Sequence, residues 1–286
     1  MKIIKPSVEF FGALPTDYEN ALRFIEKAGR TCYKSEDKIT DDSAEKFVKK
    51  LINAKPYPHL AMIEHSNFVI KNSLNYWPIN HDINKFLKDL YYKDCWYIGG
   101  NLRAWFEHCK QTGFTSECEP FYAAYGELFN LQMPDCFEMK WETCPHDEIP
   151  KELHRYSAKF ICDRGVSHEL VRHRPCSFAQ ESTRYVNYCG KDMEFVEPAG
   201  YENWSLDAKT TFAASCEYAE FSYGQMINYS LKPQQARAVL PNALKTEIVV
   251  TADAAEWQHI KNLRTASGAH PDMQRVMNMM PWESFL

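Results

Sequence analysis

The chain lacks a long apolar run. Its first residues, Met1-Lys2-Ile3-Ile4-Lys5-Pro6, mix charge and proline with a few apolar side chains, and no later window has the length a bilayer requires. We therefore expect no secretion signal, no membrane partner and a cytoplasmic location. It also lacks a CxxC pair. Ten cysteines are scattered along 286 residues, which reads as reduced thiols rather than a disulfide framework. Cys144-Pro145-His146 resembles half of a metal site, but nothing at zinc spacing completes it, so no metal is expected. Surplus positive charge is absent. Lys and Arg number 33 against 38 Asp and Glu, a net charge of −5, which argues against a general nucleic-acid coat or a binder of anionic membranes. No GxGxxG follows a strand pattern and no GxxxxGKS/T occurs anywhere. Those glycine-rich routes to nucleotide binding are closed, and any nucleotide must be gripped by side-chain cations and irregular backbone.

What is present is ordinary in amount and uneven in placement. Hydrophobic residues make up 45% and charged residues 25%, enough for one large domain with a sizeable core. Apolar periodicity predicts a strand over 2–12, then helices over 17–29, with Thr16 as cap, and over 42–54. A turn leads into a strand at 62–69. From about 72 to 155 the texture changes to Tyr, Trp, Asn and Cys with many turn signals, and we read this stretch as an insertion packed on the main domain. Within it, 83–90 with Asp82 as cap and 102–110 look helical, and 137–143 looks like a strand. Beyond it, 157–162 is a strand, Asp163-Arg164-Gly165 a turn, and Ser167 the cap of a short helix over 169–173. A strand over 178–188 would carry Gln180, Ser182 and Arg184 on one face, since alternate strand residues share a face. Helices follow over 206–231, 234–239, 254–264 and 272–279, with an apolar strand at 247–251. Strands and helices mix without regular βαβ alternation. The expectation is an α+β fold, a mixed and largely antiparallel sheet with packed helices, in a single catalytic domain over 1–286.

The chemistry concentrates in Arg172-His173-Arg174-Pro175-Cys176-Ser177-Phe178-Ala179-Gln180-Glu181-Ser182-Thr183-Arg184-Tyr185. So many cations and hydroxyls would be costly to bury for packing alone. Guanidinium forks with Ser and backbone N–H groups suit a multiply anionic ligand. His168-Glu169-Leu170-Val171-Arg172-His173 looks like a zinc-protease helix, but its histidines are five apart and leave the common face that such a site needs. Ser182 stands outside any GxSxG context, so it reads as a positioning group, with a nucleophilic role left open. Arg237 and Arg264 lie on helical patterns beside apolar neighbours, either solvated or turned to a ligand. His59 and Glu64-His65 surround a short apolar turn, either a polar loop or part of a site.

Taken together these pieces resemble the flavin-dependent thymidylate synthases. Arg172-His173-Arg174, Ser177, Ser182, Arg184 and Tyr185 stand at the spacing of that family's signature. His59 to His65 resembles its H-x-S/T-x-x-E-H segment, with Ala61 at the hydroxyl position. Arg237-Ala238-Val239-Leu240-Pro241, Thr246 and the stretch from Trp257 to Arg264 resemble its third motif. The similarity covers roughly 1–71 and 156–286.

The resemblance implies synthesis of thymidylate (dTMP) from deoxyuridylate (dUMP), with carbon from methylenetetrahydrofolate and reducing equivalents from NADPH through FAD. It implies FAD held by Arg172, His173 and Arg174 with Glu64, Ser177, Asp253 and His259. It implies dUMP held by Glu169, Gln180, Ser182 and Arg184, its phosphate reached by Arg237 from a neighbouring subunit, and Arg264 polarising the uracil. His59 and Tyr185 would stand where folate stacks, and a homotetramer would share its active sites. The reading from another class is a non-catalytic RNA- or nucleotide-binding module, in which the same cations grip phosphates without chemistry.

Overall fold

The computed structural model describes residues 1–73, 84, 86–133 and 141–286. Its frame is an antiparallel pair, β7 (Arg155–Asp163) and β10 (Lys245–Asp253), matched along their whole length from Arg155↔Asp253 to Asp163↔Lys245. β2 (Ser7–Ala13) flanks β7 and β8 (Ser177–Gln180) flanks β10, giving the order β2-β7-β10-β8, antiparallel throughout. Alternation assigns the two faces. Tyr156, Ala158, Phe160 and Cys162 of β7 point the same way as Ile248, Val250 and Ala252 of β10. They meet Val166, Leu170, Trp257 and Ile260, from α5 (Arg164–Leu170) and α8 (Ala254–Arg264), and Met273 and Val276 of α9 (Pro271–Met277). On the other face Ala179 and Val249 pack against Ala28 and Cys32 of α1 (Tyr18–Tyr33).

A second antiparallel sheet, in the order β4-β5-β3-β6, is made of β4 (Leu87–Tyr92), β5 (Cys95–Gly100), β3 (Phe68–Asn72) and β6 (Glu142–Thr143). Its apolar side shares one core with α1, α2 (Ser43–Ile52), α3 (Leu102–Thr112) and α4 (Glu119–Tyr125), around Phe68, Trp105 and Phe121. The parallel pair β1 (Lys2–Ile4) and β9 (Glu194–Val196) adjoins α6 (Leu206–Asn228) and α7 (Pro233–Ala236) through a third cluster around Phe195 and Tyr223. The fold is α+β with largely antiparallel sheets, as the sequence predicts. Among the described residues no helix is long and apolar enough to cross a membrane.

Several local expectations need correction. The helix expected over 83–90 is, where described, the strand β4; Asp82, Ile83 and residue 85 lie outside the described residues. The spacing of Phe86, Leu87 and Leu90 fits a helix, but Lys93 and Asp94 both have positive φ, 49° and 59°. That is the twist of a two-residue hairpin turn, and it pairs Leu87–Tyr92 with Cys95–Gly100. The strand expected over 178–188 stops at Gln180. The Ser182 N–H goes to the Cys32 carbonyl of α1 at 3.0 Å, and the Ser182 hydroxyl accepts the Arg184 N–H at 3.3 Å. A local side-chain turn thus replaces the ladder, and Gln180, Ser182 and Arg184 do not share a strand face. The turn expected at 163–165 is the start of α5: Asp163 caps it by accepting the Val166 N–H at 2.9 Å, and Ser167 lies inside the helix. Pro6 splits the expected first strand into β1 and β2, Asp17 rather than Thr16 caps α1, and residues 134–140, most of the strand expected at 137–143, lie outside the described residues.

Candidate active site

Two identical devices position the candidate site. Each strand of the central pair ends in an aspartate that caps the next helix: Asp163 starts α5, and Asp253 starts α8 by accepting the Glu256 N–H at 2.8 Å. A carboxylate is the preferred cap there because it satisfies an orphan N–H and complements the helix dipole. Because β7 and β10 are antiparallel, the two helices leave from opposite ends of the sheet and return across the same face. They meet at Arg264. Its Nη1 donates to Glu169 Oε2 at 2.6 Å, its Nη2 to the Glu169 carbonyl at 3.1 Å, and its Nε to His173 Nε2 at 3.0 Å. Two of the five guanidinium N–H groups are left over for a ligand.

These bonds decide the state of His173. A guanidinium only donates, so Nε2 is the acceptor and the ring proton sits on Nδ1. Nδ1 lies 3.1 Å from Glu256 Oε1 and donates to it. Burial, and then the charges of Arg264 and His259, push the imidazole down to about 4, so His173–Glu256 is a hydrogen bond donated by a neutral ring rather than an ion pair at neutral pH. The ring is 5% exposed, while Arg172 and Arg174 on either side are exposed and make no side-chain hydrogen bond or ion pair among the described residues. The motif therefore turns its histidine inward and two unneutralised guanidiniums outward. His259 lies edge-on to His173, ring centroids 5.7 Å apart.

At the Asp253 end of the sheet, Glu64, Arg103, Arg155, Arg174 and Ser177 line a cavity of about 280 Å³. Arg155 donates through Nη2 to the Ser177 hydroxyl at 3.1 Å, but its buried Nε has no partner among the described residues. Glu64 is bound to Arg103 of α3 at 2.7 Å, and Asp253 to Lys88 of β4 at 2.5 Å. His65, fully buried, has a structural part: its Nδ1 lies 2.8 Å from the Thr251 hydroxyl, which donates to Ser157 at 2.8 Å.

At the Asp163 end, Arg164, His168, Thr183, Arg237 and Asn242 line a second cavity, of about 530 Å³. Arg237 Nη1 donates to the Thr183 hydroxyl at 3.1 Å, and Gln180 at the tip of β8 donates to Ser167 at 2.9 Å and Thr246 at 3.2 Å. Beside it run Arg184 and Tyr185, both exposed. The Tyr185 ring stands 5.8 Å from Tyr33, whose hydroxyl lies 3.1 Å from His59 Nδ1.

The predicted residues thus form three neighbourhoods: Arg264, Glu169, His173 and His259 on the sheet face; Glu64, Arg174 and Ser177 at one end, with Asp253 nearby; and Gln180 and Arg237 at the other, with Ser182, Arg184, Tyr185 and His59 along the adjoining turn. Sequence reasoning misses Arg155, Arg164, His168, Glu256, Tyr33, Lys88 and Arg103. Only Glu256 has a local signal, the Asp-x-x-Glu spacing of a helix start.

Residues 146–283 match a family model described as thymidylate synthase complementing protein. A flavin-dependent thymidylate synthase of Geobacter sulfurreducens is 35% identical over 113 residues, covering 40% of this chain and 48% of that protein. Those of Mycolicibacterium gilvum and Mycobacterium tuberculosis are each 34% identical over 128 residues, 40% of this chain and 50% of theirs. The chain spans about half the length of these relatives. A solved UMP/dUMP methylase from Streptomyces cacaoi, bound with 5-Br dUMP, aligns with 100% of this chain and 93% of its own at 15% identity and a TM-score of 0.44. The resemblance read from the motifs is borne out over the stretch that holds β7, α5, β8, β10 and α8. The segment from His59 to His65 lies outside the residues that the family model matches.

A neutral, buried His173 makes a signed prediction. Its folded pKa is depressed, so between about 6.5 and 4 the unfolded chain binds the extra proton, and stability falls as pH drops through that window. From pH 7.5 to 4.5 the wild type should lose about 2–3 kcal/mol more than His173→Gln, measured by urea denaturation at both pH values. Equal losses would mean that His173 is protonated in the fold.

Proposed function

We propose that this chain is a flavin-dependent thymidylate synthase. It methylates dUMP to dTMP, taking carbon from methylenetetrahydrofolate and reducing equivalents from NADPH by way of FAD. The observation that carries the reading is the arrangement of Arg172-His173-Arg174, a buried neutral histidine bonded to Arg264 between two guanidiniums without carboxylate partners among the described residues. It stands inside the stretch that matches the family model.

The fit to FAD rests on the cavity at the Asp253 end. A buried arginine with an orphaned Nε, in a cavity it shares with Arg174 and Arg103, suits a group bearing phosphates. Arg172, His173, Arg174, Ser177, Glu64, Asp253 and His259 would hold it, and the flavin supplies the hydride that no side chain can supply. Gln180, Ser182 and Arg184 hold the nucleotide. Arg237, with Arg164 and His168 in the same cavity, takes its phosphate. Glu169 aims Arg264, whose remaining N–H groups stabilise the negative charge that develops on the uracil carbonyls as a carbon is added at C5. The neutral state of His173 matters here: a second cation at 3.0 Å would raise the energy of the arginine it steadies. His59 and Tyr185, joined through Tyr33, form the wall for folate. α6 exposes Tyr218 and Phe221, with Tyr229 exposed just after its end, a surface suited to assembly into a homotetramer. Colour and turnover test the reading together: the purified protein should be yellow and convert dUMP to dTMP only when folate and NADPH are supplied, whereas a colourless protein that takes up no FAD and forms no dTMP would overturn it.

Two substitutions divide the roles. Arg237→Ala should weaken dUMP binding by roughly 10–150-fold, one charge-assisted contact, and leave FAD binding unchanged; equal weakening of both would remove Arg237 from the phosphate. Ser182→Ala should weaken dUMP binding yet keep measurable dTMP formation in a single turnover, because no carboxylate, histidine or lysine bonds the Ser182 hydroxyl among the described residues. No product above background from folded, FAD-loaded protein would make Ser182 the nucleophile.

A further inference from the structure

Residues 108–118, His-Cys-Lys-Gln-Thr-Gly-Phe-Thr-Ser-Glu-Cys, place two adjacent pairs of metal-ligand side chains on either side of a turn. α3 ends at Thr112, and Gly113 follows with φ at 76°. Glycine takes that conformation freely, so the chain reverses there. The reversal lays Glu117 and Cys118 against the last turns of α3. His108 is 3% exposed, Cys109 1%, Glu117 7% and Cys118 0%. One ligand atom each from His108, Glu117 and Cys118 lie within 4.8 Å of one another.

We propose that His108, Glu117 and Cys118 bind a zinc ion that clamps the end of α3 to the turn before α4. The site lies away from the cluster around Arg264, and the proposal does not depend on the synthase reading. His108 Nε2 stands 3.6 Å from Glu117 Oε1, too far for a hydrogen bond. It is the separation of two ligands on one tetrahedral zinc, whose bonds of about 2.0–2.3 Å set ligand atoms about 3.3–3.8 Å apart. A thiol, an imidazole and a carboxylate are all donors that zinc accepts, and a water would complete the tetrahedron. The Thr115 hydroxyl donates to Cys118 Sγ at 3.2 Å, the kind of outer bond that fixes a thiolate ligand. The clamp would hold the helix that carries Arg103, the partner of Glu64.

The test uses the full chain, purified under reducing conditions, incubated with ZnCl2, dialysed and analysed for metal. About one zinc per chain should remain, and loading with CoCl2 instead should produce a thiolate-to-cobalt charge-transfer band. Cys118→Ser should bring bound zinc below about a tenth of an equivalent, while Cys95→Ser, on β5 outside the cluster, keeps it. The unsubstituted protein decides the matter if the Cys118 variant fails to fold. No stoichiometric zinc after loading, with all ten thiols titratable, overturns the proposal. So does the loss of two thiols without bound metal, because a disulfide between Cys109 and Cys118 would consume the thiol ligand.

Discussion

The antiparallel pairing of β7 with β10 is the constraint on which the rest depends. Both strands are largely buried, so their N–H and C=O groups must be satisfied by one another and by their outer neighbours. Register is fixed as well, because a slip of one residue would exchange the faces that meet α1 and the α5–α8–α9 layer. With register fixed, Asp163 and Asp253 fall at opposite ends of the pair, and each starts a helix back across the same face. Arg264 can therefore reach Glu169 and His173, residues 95 and 91 positions away in sequence. The sheet also separates the two anion-suited cavities by placing one at each end.

The charge arrangement follows from the same geometry. The sheet face brings Arg264 against a histidine, and the histidine remains neutral because it is buried beside a cation. Its proton is then committed to Glu256. The positive charge that the motif advertises in sequence is thus distributed: Arg264 is held by a carboxylate, His173 is uncharged, and Arg172 and Arg174 face outward. An overall acidic chain keeps a local cationic surface in this way, with Lys88 and Arg103 of the second sheet and α3 holding the acidic residues Asp253 and Glu64 that border it.

Much of this is legible in the sequence, and the limits are physical. The α+β class, the long helices and the strand cores follow from periodicity that tertiary packing leaves intact. The arginine-rich motif stands out because a core would not carry it. Its internal geometry does not, since the inward turn of His173 depends on Arg264 and Glu256, far along the chain. The end of β8 is hidden for a similar reason: the Ser182 N–H leaves the ladder for a carbonyl of α1, a long-range partner. β4 misleads because the spacing of Phe86, Leu87 and Leu90 is helical, and the positive φ of Lys93 and Asp94 makes a hairpin instead. Arg155 reads as the end of the insertion and Arg164 as a turn residue, and only the sheet shows that they border the two cavities.

The central claim is that a neutral His173, protonated on Nδ1, accepts a hydrogen bond from Arg264 and so fixes the arginine's aim. Nitrogen-15 NMR of histidine-labelled protein, with His173 assigned by substitution, reads that state directly. At pH 7 the account predicts a neutral ring with the proton on Nδ1 and an unprotonated Nε2. A doubly protonated ring, or a proton on Nε2, would contradict it.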